Sequence, residues 1–187
     1  MLPCVDMAEP NNAILLTAAC GGDQRSWEAI VHRYAGLVWS VARSYRLGSA
    51  DAADVSQATW LRLVEHMADI RDSDRLGAWL ATTARREALA LLRRAGRDAP
   101  AIDPTELDPP DASGEPVDQR LLRTERDSQL WQAFGALPSA CQQLLRVLLA
   151  EPPPSYAEAS AALGMPVGSI GPTRARCLNT LRRRLTP

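Results

Sequence analysis

The chain has 187 residues, 46% of them hydrophobic, and a formal net charge of −1, values ordinary for a globular protein of one domain or two small ones. No apolar run approaches the roughly 20 residues that a membrane span requires. The opening MLPCVDMAEPNN lacks the basic-then-apolar pattern of a secretory signal, so membrane insertion is set aside and a cytoplasmic protein is expected.

Ala, Leu and Arg abound, while Val, Ile and aromatic residues are scarce. That mixture favours helices over strands and predicts an all-α chain. Asn11 or Asn12 can cap a first helix, AILLTAAC, which ends at Gly21-Gly22. In the next helix Trp27, Ile30, Val31, Tyr34, Leu37, Val38, Val41, Ala42 and Tyr45 recur at three- and four-residue steps and form one wide apolar stripe. Gly48 stops it. A third helix, SADAADVSQATWLRLVEHM, starts from a Ser49 or Asp51 cap and buries Val55, Thr59, Leu63 and Trp60. After the polar ADIRDSDR comes LGAWLATTARREALALLRR, in which Thr82, Arg85, Arg86 and Arg93 share one side, with Leu89 among them.

The near-zero net charge conceals a segregation. Between Asp98 and Asp118 there are seven acids and no base, and the stretch is rich in Pro; between Met165 and Pro187 there are five arginines and no acid. The acidic stretch cannot bury enough apolar surface to offset its ordering, and it reads as a flexible, self-repelling linker. The expected organisation is therefore two small helical domains, 11–97 and 119–187, joined by an acidic Pro-rich linker over 98–118.

The second domain continues in helices. Thr124 can cap TERDSQLWQAFGAL, whose buried side would be Leu130, Trp131, Phe134 and Leu137. Pro138 opens SACQQLLRVLLA, and Pro152-Pro153-Pro154 closes it. Ser155 caps YAEASAALG. This last helix and the stretch after it, SYAEASAALGMPVGSIGPTRARCL, have the form of a helix-turn-helix. Gly164 makes the turn and Leu163, Met165 and Ile170 fill the wedge. In such a unit the second helix enters the major groove of duplex DNA. A wheel started at Ile170 puts Cys177, Leu178, Leu181 and Leu185 on its side and points Thr173, Arg176, Thr180 and Arg183 away, where Arg can meet a guanine or a phosphate. Arg174 falls toward the buried side. If Ser169 is the N-cap, Pro172 sits in the first turn at little cost. If the helix begins at Pro166, Pro172 lies within it and costs roughly 3 kcal/mol. An irregular start that swings Arg174 to solvent is the reading adopted.

The cysteines Cys4, Cys20, Cys141 and Cys177 include no CxxC pair, and His32 and His66 lie far from them in the chain. That spacing argues against a zinc site, and reduced thiols, buried or idle, are expected. No phosphate-binding Gly loop or nucleophile–base set is present, so a helical enzyme is disfavoured and no cofactor or metal is expected.

Taken in order, these segments resemble the extracytoplasmic-function type of sigma factor of bacterial RNA polymerase, over about 11–96 and 124–185. WEAIVHRYAGLVWSVARSY is similar to that family's first conserved helix. DAADVSQATWLRLVEHM resembles its polymerase-binding helix, D-x-x-D-V-x-Q-E-T-F-L. RLGAWLATTARREALALLRR resembles the helix that contacts the promoter −10 element. LPSACQQLLRVLLAEPPPSYAEASAALGMPVGSI is similar to L-P-x-x-x-R-x-V-x-x-L followed by S-Y-x-E-I-A-x-x-L-G-x-P-x-G-T-V.

The resemblance implies core RNA polymerase and promoter DNA as partners, and an anti-sigma factor of the kind that holds many members. It would put Asp51, Asp54, Gln57 and Arg62 at the polymerase. The loop containing Arg71, Ser73 and Arg75 would hold the melted −10 strand, with Thr82, Arg85, Arg86 and Arg93 beside it. Ser169, Thr173, Arg174, Arg176 and Arg183 would meet the −35 duplex, and the acidic linker would thread the RNA-exit path. Departures stand at Ala58, Arg86, Ala90 and Pro153-Pro154. Gly171-Pro172-Thr173 replaces the usual Lys/Arg-Ser-Arg, which shifts −35 readout onto Arg174 and Arg176. The alternative is a stand-alone helix-turn-helix regulator that does not bind polymerase; a helical interaction scaffold would leave the charge segregation without a purpose.

Overall fold

The computed structural model describes residues 11–96 and 128–185. The expected linker over 98–118 and the Thr124 cap lie outside them. Among the described residues the chain is built of helices: α1 (Asn12–Cys20), α2 (Gln24–Ser44), α3 (Ser49–His66), α4 (Leu76–Arg94), α5 (128–135), α6 (Ser139–Leu148), α7 (Tyr156–Leu163) and α8 (Val167–Leu185), with two short 3-10 turns, Met67–Asp69 and Ser73–Arg75, between α3 and α4. None of them is long and apolar enough to cross a membrane.

The caps follow from local chemistry. Asn11 accepts from the Ala13 amide at the start of α1, and Asp23 from Ser26 at the start of α2. The hydrogen bonds that Asp23 accepts from Ser26 hold its carboxyl below the usual range. Ser155 and Glu158 cap α7 reciprocally. α3 departs from expectation. Gly48 stands at its N-cap with no side-chain bond, and Ser49 and Asp51 lie inside the first turn. An acid at that position still favours the positive end of the helix dipole, so Asp51 supports the start without capping it.

The predicted stripe of α2 is the spine of the molecule. Ile30, Tyr34, Leu37, Val38, Val41 and Ala42 are buried, and α1, α3, α4 and α6 all pack on this helix. Leu63, Leu76 and Leu80 complete the N-terminal core, and Trp27 meets Trp60 edge-on with ring centroids 6.1 Å apart. In α5, Phe134 is buried but Leu130 is exposed, contrary to its assignment to the buried side. The buried contacts of this segment come from its C-terminal end, where Gln142 of α6 donates to the carbonyls of Gly135 and Leu137.

The helices of the expected second domain pack directly on the first. α7 lies against α4 and α6 against α2, so Ala159, Ala162, Leu144 and Ile170 join the same apolar cluster as Val38 and Leu80. Tyr45 donates to the carbonyl of Ala162 at 2.9 Å, and burial pushes its phenol pKa up. Gly36 permits a close backbone approach of the two halves: its α-carbon faces the backbone of Glu151 with no room for a side chain.

α8 runs from Val167, so Pro172 lies within the helix and Ser169 is not its cap. The Ser169 hydroxyl instead donates to the Pro166 carbonyl at 2.7 Å, inside the first turn. Pro172 has no amide hydrogen to give the Gly168 carbonyl, so one helical bond is missing. Replacing Pro172 with Ala should restore it and raise stability by up to about 3 kcal/mol. Urea unfolding measures this, and an unchanged midpoint would mean that the helix is already relaxed around the proline.

The expectation of reduced thiols, buried or idle, is corrected for two of the cysteines. Cys141 of α6 and Cys177 of α8 are joined as a disulfide, with α-carbons 5.4 Å apart, and Cys20 is free and exposed. Residues 36 apart in sequence give no local cue to pairing. Only the crossing of α6 and α8 brings the two together.

Candidate nucleic-acid and polymerase interfaces

Three exposed surfaces carry the residues singled out from the sequence. The first is the outer face of α3. Asp54 and Gln57 are exposed, and the same helical stripe continues through Leu61 and Val64, whose side chains are 58% and 57% exposed. Two large apolar side chains in open solvent, in register with two polar ones, mark a surface built to be covered. Sequence reasoning found the polar pair and missed the apolar one, although its i+7 and i+10 spacing from Asp54 was a readable signal. Arg62 stands beside this stripe. Its guanidinium bonds Glu65 at 2.9 Å and lies 3.5 Å from Glu87 of α4, both of which favour its charged form. As an exposed pair it contributes little to stability, so its use is positional. Asp51 lies at the start of the helix and is half-buried.

The second surface is a groove of about 600 Å³ between the end of α3, the loop 69–75 and α4. Three of the predicted residues, Arg71, Arg75 and Arg86, line it. Arg75 is held by Asp72 at 3.0 Å. Ser73 has a structural part as well, because its carbonyl accepts from Asn12, which ties the loop to α1. Trp79 and Thr83 also line the groove. They precede Arg86 by seven and three residues, one helical face, which was the available signal. Thr82 bonds back to the Ala78 carbonyl and is half-buried. Arg93 opens onto a shallower hollow with Arg62 and Glu87. Arg85 is elsewhere. Its guanidinium lies under the turn of the helix-turn-helix, close to Gly164 and Tyr45, and its buried Nε has no hydrogen-bond partner. Gly164 has the left-handed φ of 67° that glycine adopts without strain, and a side chain there would come 2.7 Å from the Arg85 guanidinium.

The third surface is α8. Arg174, Arg176 and Arg183 are exposed, and no described acid pairs with any of them. Arg176 donates to the Thr173 hydroxyl at 3.2 Å and Arg183 to that of Thr180 at 3.5 Å. These contacts with side chains one turn earlier pre-align the guanidinium groups without neutralising them. Arg174 falls between the two buried residues of the helix, Ile170 and Cys177, yet reaches solvent as expected. Asn179 joins Arg176 and Arg183 on this face and was missed, though it stands three residues from Arg176.

The described surface thus carries an arginine-bearing groove over a loop, an arginine-rich helix face and a mixed apolar-polar stripe on α3. Residues 30–98 match the family model for sigma-70 region 2. The chain is all-helical among the described residues, as the resemblance implied. Among solved structures it is similar to CnrH in complex with the cytosolic domain of CnrY, at 23% identity over 94% of this chain and 97% of that one, with a TM-score of 0.60. It is likewise similar to the sigma factor RpoE in complex with the anti-sigma factor NepR from Bartonella quintana, at 20% identity over 86% and 97%, with a TM-score of 0.60. At these identities the likeness is one of fold. No curated protein matches the chain by sequence.

Proposed function

We propose that the chain binds core RNA polymerase, recognises promoter −10 and −35 elements and initiates transcription, acting in the cytoplasm as a binding subunit with no catalysis of its own. The observation that carries this reading is the sigma-70 region 2 match, because it spans both the α3 stripe and the groove. It also argues against the stand-alone regulator, which would have no use for a docking stripe on the N-terminal half.

On this reading Asp54, Gln57, Leu61 and Val64, with Arg62 and Asp51 beside them, meet the polymerase. The groove takes the melted −10 strand: Arg71, Arg75 and Arg86 neutralise phosphates, Trp79 offers a ring against which a base can stack, and Thr83 a hydroxyl. Ser73 ties the loop to α1, Thr82 stands on α4 beside the groove, and Arg93 continues the phosphate track. Arg85 can join that track only when α7 leaves α4. On α8, Arg174 and Arg176 read bases or phosphates of the −35 duplex, while Thr173, Ser169 and Arg183 position the helix. An anti-sigma factor is a further partner on this reading, in keeping with the complex of RpoE with NepR.

Run-off transcription with core polymerase on a promoter library tests the reading. Folded protein that binds core and starts RNA at a defined set of sites is the expected result, and a folded protein unable to start RNA anywhere would overturn it. Within that assay Arg176→Ala should weaken promoter binding by about 1–3 kcal/mol if it contacts a base. Affinity should also fall steeply with salt. A flat salt response would remove the arginines from the phosphates.

A further inference from the structure

Of the side chains of α8, only Ile170 and Cys177 are fully buried. The helix that carries the exposed arginines is therefore anchored at two points. Ile170 wedges its beginning against the rest of the helix-turn-helix, and Cys177 ties its middle to α6 through the bond to Cys141. Arg176 adjoins Cys177, and Arg174 lies one turn before it, so the second anchor sets where these guanidinium groups point.

We propose that Cys141 and Cys177 form a reversible redox site that holds α8 in its duplex-reading pose when oxidised and releases it when reduced. The proposal rests on the promoter reading of α8 given above. A protein that works beside RNA polymerase meets thiol couples that keep ordinary cysteines reduced, so a disulfide there is a changeable link rather than a permanent one. The two sulfurs differ in access. Cys177 is fully buried, whereas Cys141 is only partly covered. Reduction therefore begins at Cys141: an incoming thiolate bonds its sulfur and the Cys177 thiolate leaves. A second thiolate then displaces Cys141, so the reductant pair ends as a disulfide and the protein as two thiols after gaining two protons and two electrons. Oxidation reverses this with a small-molecule disulfide as acceptor. Once reduced, the Cys177 thiol still fills its site as a small apolar group, but nothing covalent holds the helix to α6.

The test uses the full chain, air-oxidised or treated with dithiothreitol. Alkylation with mass spectrometry should find Cys141 and Cys177 protected in the first state and labelled in the second. Amide exchange along α8 should be about tenfold or more faster after reduction. Affinity for a mixed-sequence DNA duplex should drop about fivefold or more, and oxidised glutathione should restore it. Cys141→Ala, which leaves the buried Cys177 thiol in place, should match the reduced protein under both conditions. If that variant does not fold, the reduced wild-type chain makes the same comparison. Cysteines that never pair, or equal α8 exchange in both states, would overturn the proposal. Exchange decides the link without DNA. A chain that switches exchange but binds duplex in neither state would instead overturn the assignment of α8 as the reading helix.

Discussion

Replacing Gly36 with Ala should separate the two halves of the molecule. A β-carbon at this position would collide with the carbonyl oxygen of Glu151 and come 3.1 Å from its carbonyl carbon. The obstacle is backbone, so no side-chain rotation relieves it. Alanine returns up to about 1 kcal/mol of helix preference to α2, whereas forcing atoms into a packed contact costs about 1–3 kcal/mol and occasionally more. The collision should win. Small-angle scattering should then give a larger radius of gyration at unchanged helix content, because α2 remains a helix and only its contact with α6 and the segment after it is lost. The separated form should expose Arg85 and bind nucleic acid at least as well as the parent. An unchanged radius together with a raised unfolding midpoint would refute the close approach.

Ile170→Ala should have the second large effect. Ile170 is completely buried and is one of two anchors for a helix of 19 residues. Truncating a buried Ile to Ala costs about 2–5 kcal/mol, depending on how far the site can collapse. Collapse is limited here. Gly164 and the Ser160 hydroxyl, which donates to the Met165 carbonyl at 2.5 Å, hold the turn beside it. Urea unfolding should show the loss, and duplex binding should weaken with it because the arginine face is no longer presented in one orientation. A cost below about 1 kcal/mol would mean that the wedge is held by its neighbours instead.

Most of the local architecture was legible because its causes are local. The stripe of α2 from Ile30 to Ala42, the end of α1 at Gly21, the Ser155 cap of α7 and the left-handed Gly164 turn each depend on residues within a turn or two of one another. Where a local rule had competitors the reading slipped. Ser49 and Ser169 each looked able to cap, but the helices begin at or before them, and a serine inside a first turn can satisfy its hydroxyl on a nearby carbonyl, as Ser169 does. The exposed arginines of α8 were readable from periodicity, as were the polar residues of α3. Leu61 and Val64 were passed over because a leucine or valine on a helix looks like core until the neighbouring helices are placed.

By itself the sequence determined most of the helices, the segregation of charge and the exposed arginines of α8, since periodicity and composition need no knowledge of distant contacts. Tertiary structure alone decided three things. Arg85 is turned under the Gly164 turn instead of toward the groove, because α7 packs on α4. Cys141 and Cys177 are partners because α6 crosses α8. Gly36 is a contact point because Glu151 comes to rest upon it. Each of these joins residues that are far apart in the chain, and chain closure over such distances is governed by the packing of whole helices, which no short run of residues encodes.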